Sequence, residues 1–536
     1  MGSKTLQGDN VTSSPLLARF EETCSHNKDE VAFDCLGLRL TFDEVESLSS
    51  KIGGYLRDIP GLKPGDRIAL QLPNISHYPI LAWGALRAGL TIVNTNPMYT
   101  ARELAHQLRD SGARVIVTMP NSLDVLADIA TTTHIEYALV ASPTGKSPAG
   151  LPSSLSGVSV SSLDEVLLNE MQYPRPNIPV TPHDLAVLQY TGGTTGVAKG
   201  CMLSHSNLFS SYLQLTESIP PKAGQQSVMI APMPLYHVYG FQTNVVSFFL
   251  NGGASVLIPD PRNLDSLIDA MRSHPFTHLA GVNTLLNGLL RHPAFDTIDF
   301  SHLEYAFAGG TALALSVADE WEARTGVPVY EGYSMSETSS AICVNTKSER
   351  ELGTVGKPHY DTEIRLANSQ PADDSGQPRG ELLVRGPQVM QGYWQQPNAT
   401  TDAIDRDGWL RTGDIAVIQE NGFVRIVDRV KDTVLVSGFN VYPNEIDAVV
   451  SSHPDVIDCA TVGVPDAKTG EAVKVFVTTR NDQLTEATIR EYCRTQLAAY
   501  KVPKAVVFLS ELPKSPAGKI LRRELRMRAD EAEVSK

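Results

Sequence analysis

Short apolar runs alternate with longer amphipathic stretches through most of the first 350 residues. Arg67-Ile-Ala-Leu-Gln-Leu72 predicts a strand, residues 76–88 an apolar helix and Thr91-Ile-Val-Asn-Thr95 the next strand, with Pro and Gly breaking the chain between them. The same alternation recurs from Val228 to Tyr333: a strand at 228–230, a helix through 245–249, a strand at 255–258, a helix over 264–271, then further alternation to Val329-Tyr330. Such a rhythm implies mainly parallel sheets covered by helices. Between 352 and 425 the rhythm shortens to β-type runs such as Glu381-Leu-Leu-Val-Arg385 separated by Gly and Pro, as expected of a small β subdomain. After Asp428-Arg-Val-Lys-Asp432 a compact α+β pattern of about a hundred residues begins, a usual domain size. Residues 142–162, with repeated Ser, Pro and Gly, read as a surface loop or connector. The expected fold is therefore multidomain α/β.

One run interrupts the rhythm with chemistry. Tyr190-Thr-Gly-Gly-Thr-Thr-Gly-Val-Ala-Lys-Gly200 follows the apolar stretch 185–188. Its glycines let backbone N–H groups turn into one concavity, and the threonine hydroxyls and Lys199 add donors and positive charge, the makings of a phosphate cradle. It matches neither the Walker A nor the dinucleotide spacing. Taken alone, a surface loop of small polar residues is an equal reading. Four further runs follow in order: Tyr330-Glu-Gly-Tyr-Ser-Met-Ser-Glu-Thr338, Gly408-Trp-Leu-Arg-Thr-Gly-Asp414, the block 422–446, and Pro513-Lys-Ser-Pro-Ala-Gly-Lys519.

On these five runs the chain resembles the adenylate-forming superfamily of acyl-CoA synthetases, luciferases and peptide-synthetase adenylation domains over nearly its whole length. Within it, Gly281-Val-Asn-Thr-Leu285, Val436-Ser-Gly-Phe-Asn-Val-Tyr-Pro-Asn-Glu-Ile446 and Tyr500-Lys-Val-Pro-Lys504 are most similar to the bacterial long-chain fatty-acyl-CoA synthetases. The resemblance implies a large N-terminal domain (1–428), a hinge at 429–432 centred on Lys431, and a mobile α+β C-terminal lid (433–536). Sequence alone gives only a charged turn at the hinge.

The resemblance also implies roles. Thr191, Gly192, Gly193, Thr194, Thr195, Gly196 and Lys199 would hold the phosphates of ATP, with Gly309, Gly310, Gly332 and Tyr333 around the adenine. Asp414 and Arg429 would take the ribose. Ser336 would touch the α-phosphate, and Glu337 with Thr195 would hold Mg2+. Lys519 would stabilise charge on the adenylating phosphorus, and His237 would sit near the acyl carbonyl. Val238, Tyr239, Phe241, Gly281, Thr284 and Thr311 would line the acyl pocket, and Gly438 the CoA tunnel. For Asp414 or Arg429 alone a surface salt bridge is the plainer reading, for His237 a structural hydrogen bonder, and for Lys519 a solvated lysine. The implied activity activates a medium- to long-chain fatty acid with ATP to acyl-adenylate and transfers it to CoA. An acyl-AMP ligase loading an acyl-carrier protein stays open. So does a non-catalytic acyl- or nucleotide-binding homologue, because Ser334, Val430 and Thr433 stand where the family usually carries Gly, Lys and Met; Ser336, where threonine is usual, keeps the hydroxyl.

Composition narrows the setting. The 536 residues carry a net charge of −15, which argues against general nucleic-acid or anionic-membrane binding. The conspicuous basic patch is C-terminal, at Lys514, Lys519, Arg522, Arg523, Arg526 and Arg528, where a solvated helix face serves as well. Six cysteines without C-x-x-C spacing suggest neither a disulfide framework nor a zinc site. With no signal-peptide pattern and no run of ~20 apolar residues, a cytoplasmic protein is expected. Transient contact with the inner membrane face through 520–527 and a homodimer remain open expectations.

Overall fold

The computed structural model describes residues 13–143, 146, 148–169, 173–191, 198–370, 377–466, 468–515 and 518–534. The predicted alternation becomes two large sheets. The eight-stranded sheet runs in the order Lys199–Ser204, Leu185–Thr191, Thr91–Asn94, Arg67–Leu70, Val115–Thr118, Tyr137–Val140, Val158–Ser162, Ser154–Leu155. Its six inner strands are parallel and its two edge pairings antiparallel. The nine-stranded sheet places Val228–Ala231, His278–Gly281, Tyr305–Gly309 and Val329–Met335 side by side in parallel, so their C-terminal ends share one edge. Ligands of open parallel sheets bind at that edge.

The helix predicted over 76–88 is His77–Arg87, buried along its whole length. It is apolar all round, as a helix between two sheets must be. Phe20, Phe33, Phe42, Trp83 and Phe249 form one buried aromatic cluster with ring centroids 4.4–5.7 Å apart. Burial of each such side chain contributes on the order of 2 kcal/mol, and here it joins strand Val31–Cys35 to the helices Pro15–His26, Phe42–Asp58 and His77–Arg87 and to the end of the helix Phe241–Phe248. The helix predicted through 245–249 winds as a π-helix over Phe241–Phe248, where buried Asn244 donates its side-chain amide to the Gly240 carbonyl at 3.2 Å. Periodicity announces a helix but not this winding.

Glu363–Gln370, Arg379–Arg385, Leu410–Ile418 and Val424–Arg429 form the small antiparallel sheet expected around 352–425. Beyond it lie five strands and the helices Pro443–Ser451, Glu486–Arg494 and Arg522–Val534, an α+β unit with its own core. Among the described residues no helix is long and apolar enough to cross a membrane.

Two expectations are corrected. Residues 142–162 are not only a loop, because Ser154–Leu155 and Val158–Ser162 form the edge of the eight-stranded sheet. Val158 and Val160 point inward in a strand whose serine-rich composition hides the alternation. The C-terminal basic residues are solvated only in part: Arg523 and Arg528 are exposed, whereas Lys514, Arg522 and Arg526 are paired. Lys514 pairs with Asp458 at 2.8 Å, Arg522 with Asp447 at 2.7 Å and Arg526 with Asp432 at 2.6 Å. In the segment considered for membrane contact Leu525 is buried in the C-terminal core, while Met527 is exposed.

Candidate active site

Leu185–Thr191 turns back through the glycine-rich run into Lys199–Ser204, with Thr191 opposite Lys199. Gly192, Gly193, Thr194, Thr195 and Gly196 lie outside the described residues. Ser204 then caps the helix His205–Ser218 in a reciprocal box with Asn207. The same Asn207 amide donates to the carbonyls of Pro387 and Val389 at 2.8 and 2.9 Å, fixing the segment whose Met390 N–H bonds to Glu337 O at 2.8 Å. That segment continues as a ribbon along Lys199–Ser204, through Cys201 paired with Tyr393 and Trp394 N–H bonded to Gly200 O at 2.8 Å. Lys199 Nζ consequently sits 5.0 Å from the centre of the Tyr393 ring, and the Tyr393 hydroxyl donates to Glu337 at 3.0 Å. A cation, a phenol and a carboxylate thus stand together beside the paired strands Leu185–Thr191 and Lys199–Ser204.

Glu337 and Ser336 share the short turn Ser336–Thr338 that ends strand Val329–Met335. The next two residues, Ser339 and Ser340, have φ of 52° and 109°. Such a backbone costs on the order of 1–3 kcal/mol per residue and persists only when its surroundings over-determine it. Here they do, because Thr338 donates to Ser340 O at 2.8 Å, Ser339 to Gln388 O at 3.0 Å and Ser211 to Ser339 O at 3.0 Å. Two residues before Met335, the Tyr333 hydroxyl donates to the Asp414 carboxylate. Arg429 lies opposite Asp414 in the small sheet, its Nε 3.6 Å from Asp414 Oδ1. Burial raises the Asp414 carboxyl above its ordinary pKa, and Arg429 opposes the rise.

Lys519 comes from the C-terminal unit. Its hairpin is closed by Ser515 N–H donating to Lys519 O at 2.7 Å and Lys519 N–H to Ser515 Oγ at 3.1 Å. Gly518 and Gly310, both at φ 77°, allow the approach. A methyl group on Gly518 would lie 2.9 Å from Thr284 Oγ1, and one on Gly310 would lie 3.3 Å from Lys519 Cε. Lys519 is pulled below the usual lysine range chiefly by burial, with Arg429 adding to the shift and Asp414 and Glu337 opposing it. The ammonium therefore shares one enclosed space with residues from four distant runs.

His237 lies in the same space. Burial first, then Lys519, pushes its imidazole down to about 3, so it is neutral at pH 7. Nδ1 accepts the Tyr239 N–H at 3.3 Å, which leaves the proton on Nε2 and makes that edge a donor. The turn holding it depends on Gly240, where a Cβ would sit 2.2 Å from the Pro234 carbonyl oxygen. Gly240→Ala is expected to cost about 1–3 kcal/mol by forcing that turn apart, read as a lower urea midpoint. An unchanged midpoint would mean the turn moves freely.

A cavity of about 640 Å3 begins beside Gly309, Gly332 and Tyr333 and runs back along the nine-stranded sheet. Its floor is built from alternate strand residues, His278 and Ala280, Phe307 and Gly309, Tyr330, Gly332 and Ser334. Its roof is Tyr239, Thr243 and Ser247, four residues apart on one helix side. Of the six residues expected in an acyl pocket, Tyr239 alone is in this lining. Val238 and Phe241 are packed into the core, at 2% and 1% exposure, Thr284 faces Gly518, and Gly281 would touch Leu285. Thr311 Oγ1 is buried with no hydrogen-bond partner among the described residues. Gly438 is exposed at a hairpin tip with φ 85°, and Lys431 lies on the turn Val430–Asp432.

Sequence reasoning missed Glu331. Burial lifts its carboxyl to about 7, and it accepts the Leu313 N–H at 3.1 Å, tying strand Val329–Met335 to the loop that follows Gly310. It also missed Thr243 and Ser247, although their spacing from Tyr239 carries a helical signal.

Comparison with known proteins places this geometry. The chain is 44% identical over 532 residues to the long-chain-fatty-acid–CoA ligase of Escherichia coli O157:H7, covering 95% of this chain and 94% of that one. It is 43% identical to the enzyme of the same name from Yersinia pestis, over 96% and 94%. Among solved structures it is similar to ATP-bound MatB from Rhodopseudomonas palustris, with TM-score 0.83, 28% identity and 96% and 99% coverage. The model of the AMP-binding enzyme matches residues 20–394 and that of the AMP-binding enzyme C-terminal domain residues 445–519. With both models matched in order over most of the chain, and relatives above 40% identity along nearly its whole length, the chain belongs to the AMP-binding enzyme family.

Proposed function

We propose that this chain is an ATP-dependent fatty-acid–CoA ligase that passes through an enclosed acyl-adenylate. The observation that carries this reading is the seating of Lys519 against Gly310, beside neutral His237, where the acyl cavity meets the Tyr333–Asp414 pair. In the first half-reaction a carboxylate oxygen attacks the α-phosphorus, an O–P bond forms and pyrophosphate leaves. Both reactants are anions, so the site must supply charge and orientation rather than a base. Lys519 offers the ammonium, His237 Nε2–H a neutral donor, Ser336 a hydroxyl, and Asp414 with Arg429 a hold on the ribose. Lys199 and Thr191 face the leaving phosphates. The described residues hold no cluster of three or more metal-ligating side chains. Glu337, with Thr195, would hold an Mg2+ that arrives with ATP, where the ion would neutralise phosphate charge.

In the second half-reaction a thiol attacks the acyl carbon, a C–S bond forms, AMP departs and the thiol proton goes to solvent. Lys519 fills the approach used in the first step, so the unit beyond the hinge at 429–432 must rotate about Lys431 and bring the Gly438 hairpin in. CoA is the proposed acceptor, and a carrier protein would present the same pantetheine arm. Ser334 is a wall of the acyl cavity, so its departure from glycine supports a retuned acyl pocket more than a dead site.

The test is incubation with ATP, Mg2+ and acids from short to long, with and without CoA, followed by mass spectrometry. Acyl-CoA with AMP and pyrophosphate is expected. Acyl-AMP that accumulates despite CoA would move the acceptor to a carrier protein, and no pyrophosphate with any acid would overturn the ligase.

A further inference from the structure

His278 opens strand His278–Gly281, and its ring forms part of the acyl cavity floor. The ring is rigidly held, stacked on Tyr305 at 5.1 Å and edge-on to Phe248 at 5.1 Å. Nδ1 lies 2.7 Å from Thr277 Oγ1, inside the wall. Nε2 has no protein partner among the described residues, and the side chain is 8% exposed. Burial keeps the imidazole neutral, with its pKa down at about 4. A buried, preoriented polar edge therefore faces the space that the proposed function assigns to the acyl chain. A plain hydrocarbon there would cover Nε2 without replacing the hydrogen bond it makes to water, which is unfavourable.

The chemistry of that edge selects among polar groups. A ketone can only accept, so it fits one tautomer. A carboxylate can only accept, so it too is served by one tautomer alone. A hydroxyl both donates and accepts and satisfies Nε2 in either tautomer. The cavity roof continues the theme with Thr243 and Ser247. We propose that the acyl cavity is built to select fatty acids that carry a hydroxyl group along the chain, recognised by His278 Nε2; this rests on the ligase reading above.

The test is kcat/KM for pyrophosphate release over a positional series of hydroxylated acids, each against the unsubstituted acid of equal length. One hydroxyl position should be favoured about three- to tenfold, the worth of one neutral hydrogen bond. His278→Phe keeps an aromatic ring in the stack but lacks the nitrogen, and should bring that ratio towards one. His278→Gln retains a donor and an acceptor and should keep most of it. Equal kcat/KM at every position in the unsubstituted protein overturns the inference, whether or not the variants fold, and so does a ratio that survives in His278→Phe. Turnover of plain acids with no hydroxyl preference sinks this inference alone, whereas no pyrophosphate release with any acid sinks the ligase reading and this inference with it.

Discussion

Replacing Lys519 with alanine should slow acyl-adenylate formation about a hundred- to a thousandfold, the range for losing one preorganised donor to a developing charge, while thioester formation from supplied acyl-adenylate stays close to that of the unsubstituted protein. The asymmetry follows from where the lysine comes from. It belongs to the C-terminal unit, yet its methylene stem lies against Gly310 and its ammonium is buried among Asp414, Glu337 and Arg429. In that low-dielectric space a unit charge acts far more strongly than in water. Once the bond to phosphorus exists, the same side chain obstructs the thiol and has to leave. Charge should also set the alkaline limb. Burial, reinforced by Arg429, lowers the pKa of the ammonium, so the cation is complete at low pH and is lost as pH rises, earlier than for an ordinary lysine. Pyrophosphate exchange should fall there, and thioester formation from acyl-adenylate should not. If Lys519→Ala damaged both half-reactions equally, the lysine would be holding the fold rather than the transition state.

Much of this arrangement is legible in the sequence because its parts are local. The alternation between 67 and 95 specifies a strand, a helix and a strand, and the structure gives Arg67–Leu70, His77–Arg87 and Thr91–Asn94. The runs ending at Gly200, Thr338, Asp414 and Lys519 each carry a compact signature, and the fold brings Lys199, Glu337, Asp414 and Lys519 around one space. What escaped was built from residues that share a surface but no segment. The cavity floor draws on three strands, so Phe307 sits beside Ala280 through register alone. No local pattern distinguishes a lining residue from a core one, which is why Phe241, apolar and adjacent to Tyr239, was expected in the pocket yet is packed beneath it. The C-terminal arginines likewise looked solvated because Asp447 and Asp432, their partners, lie 75 and 94 residues away.

Asp414→Asn should raise the KM for ATP and lower kcat/KM about ten- to a hundredfold, since hydrogen bonds to a charged group are worth roughly 1.5–3 kcal/mol. The carboxylate accepts from the Tyr333 hydroxyl and attracts Arg429, so it orders the side of the site opposite Lys519 before nucleotide arrives. An asparagine keeps one acceptor for Tyr333 but removes the charge that the ribose hydroxyls and Arg429 would meet. Alanine would be worse, because the buried Tyr333 hydroxyl would lose its acceptor altogether. Protonation should mimic the asparagine variant. Burial raises the Asp414 pKa, and Arg429, Tyr333, Lys431 and Lys519 only partly offset it. Its charge is thus present at high pH and is lost as pH falls, beginning above the ordinary aspartate range. The acid limb of kcat/KM for ATP should therefore belong to Asp414 and should flatten in Asp414→Asn. An acid limb that persists in the variant would assign the titration to another group, and an unchanged KM for ATP would leave Asp414 as a partner of Tyr333 alone.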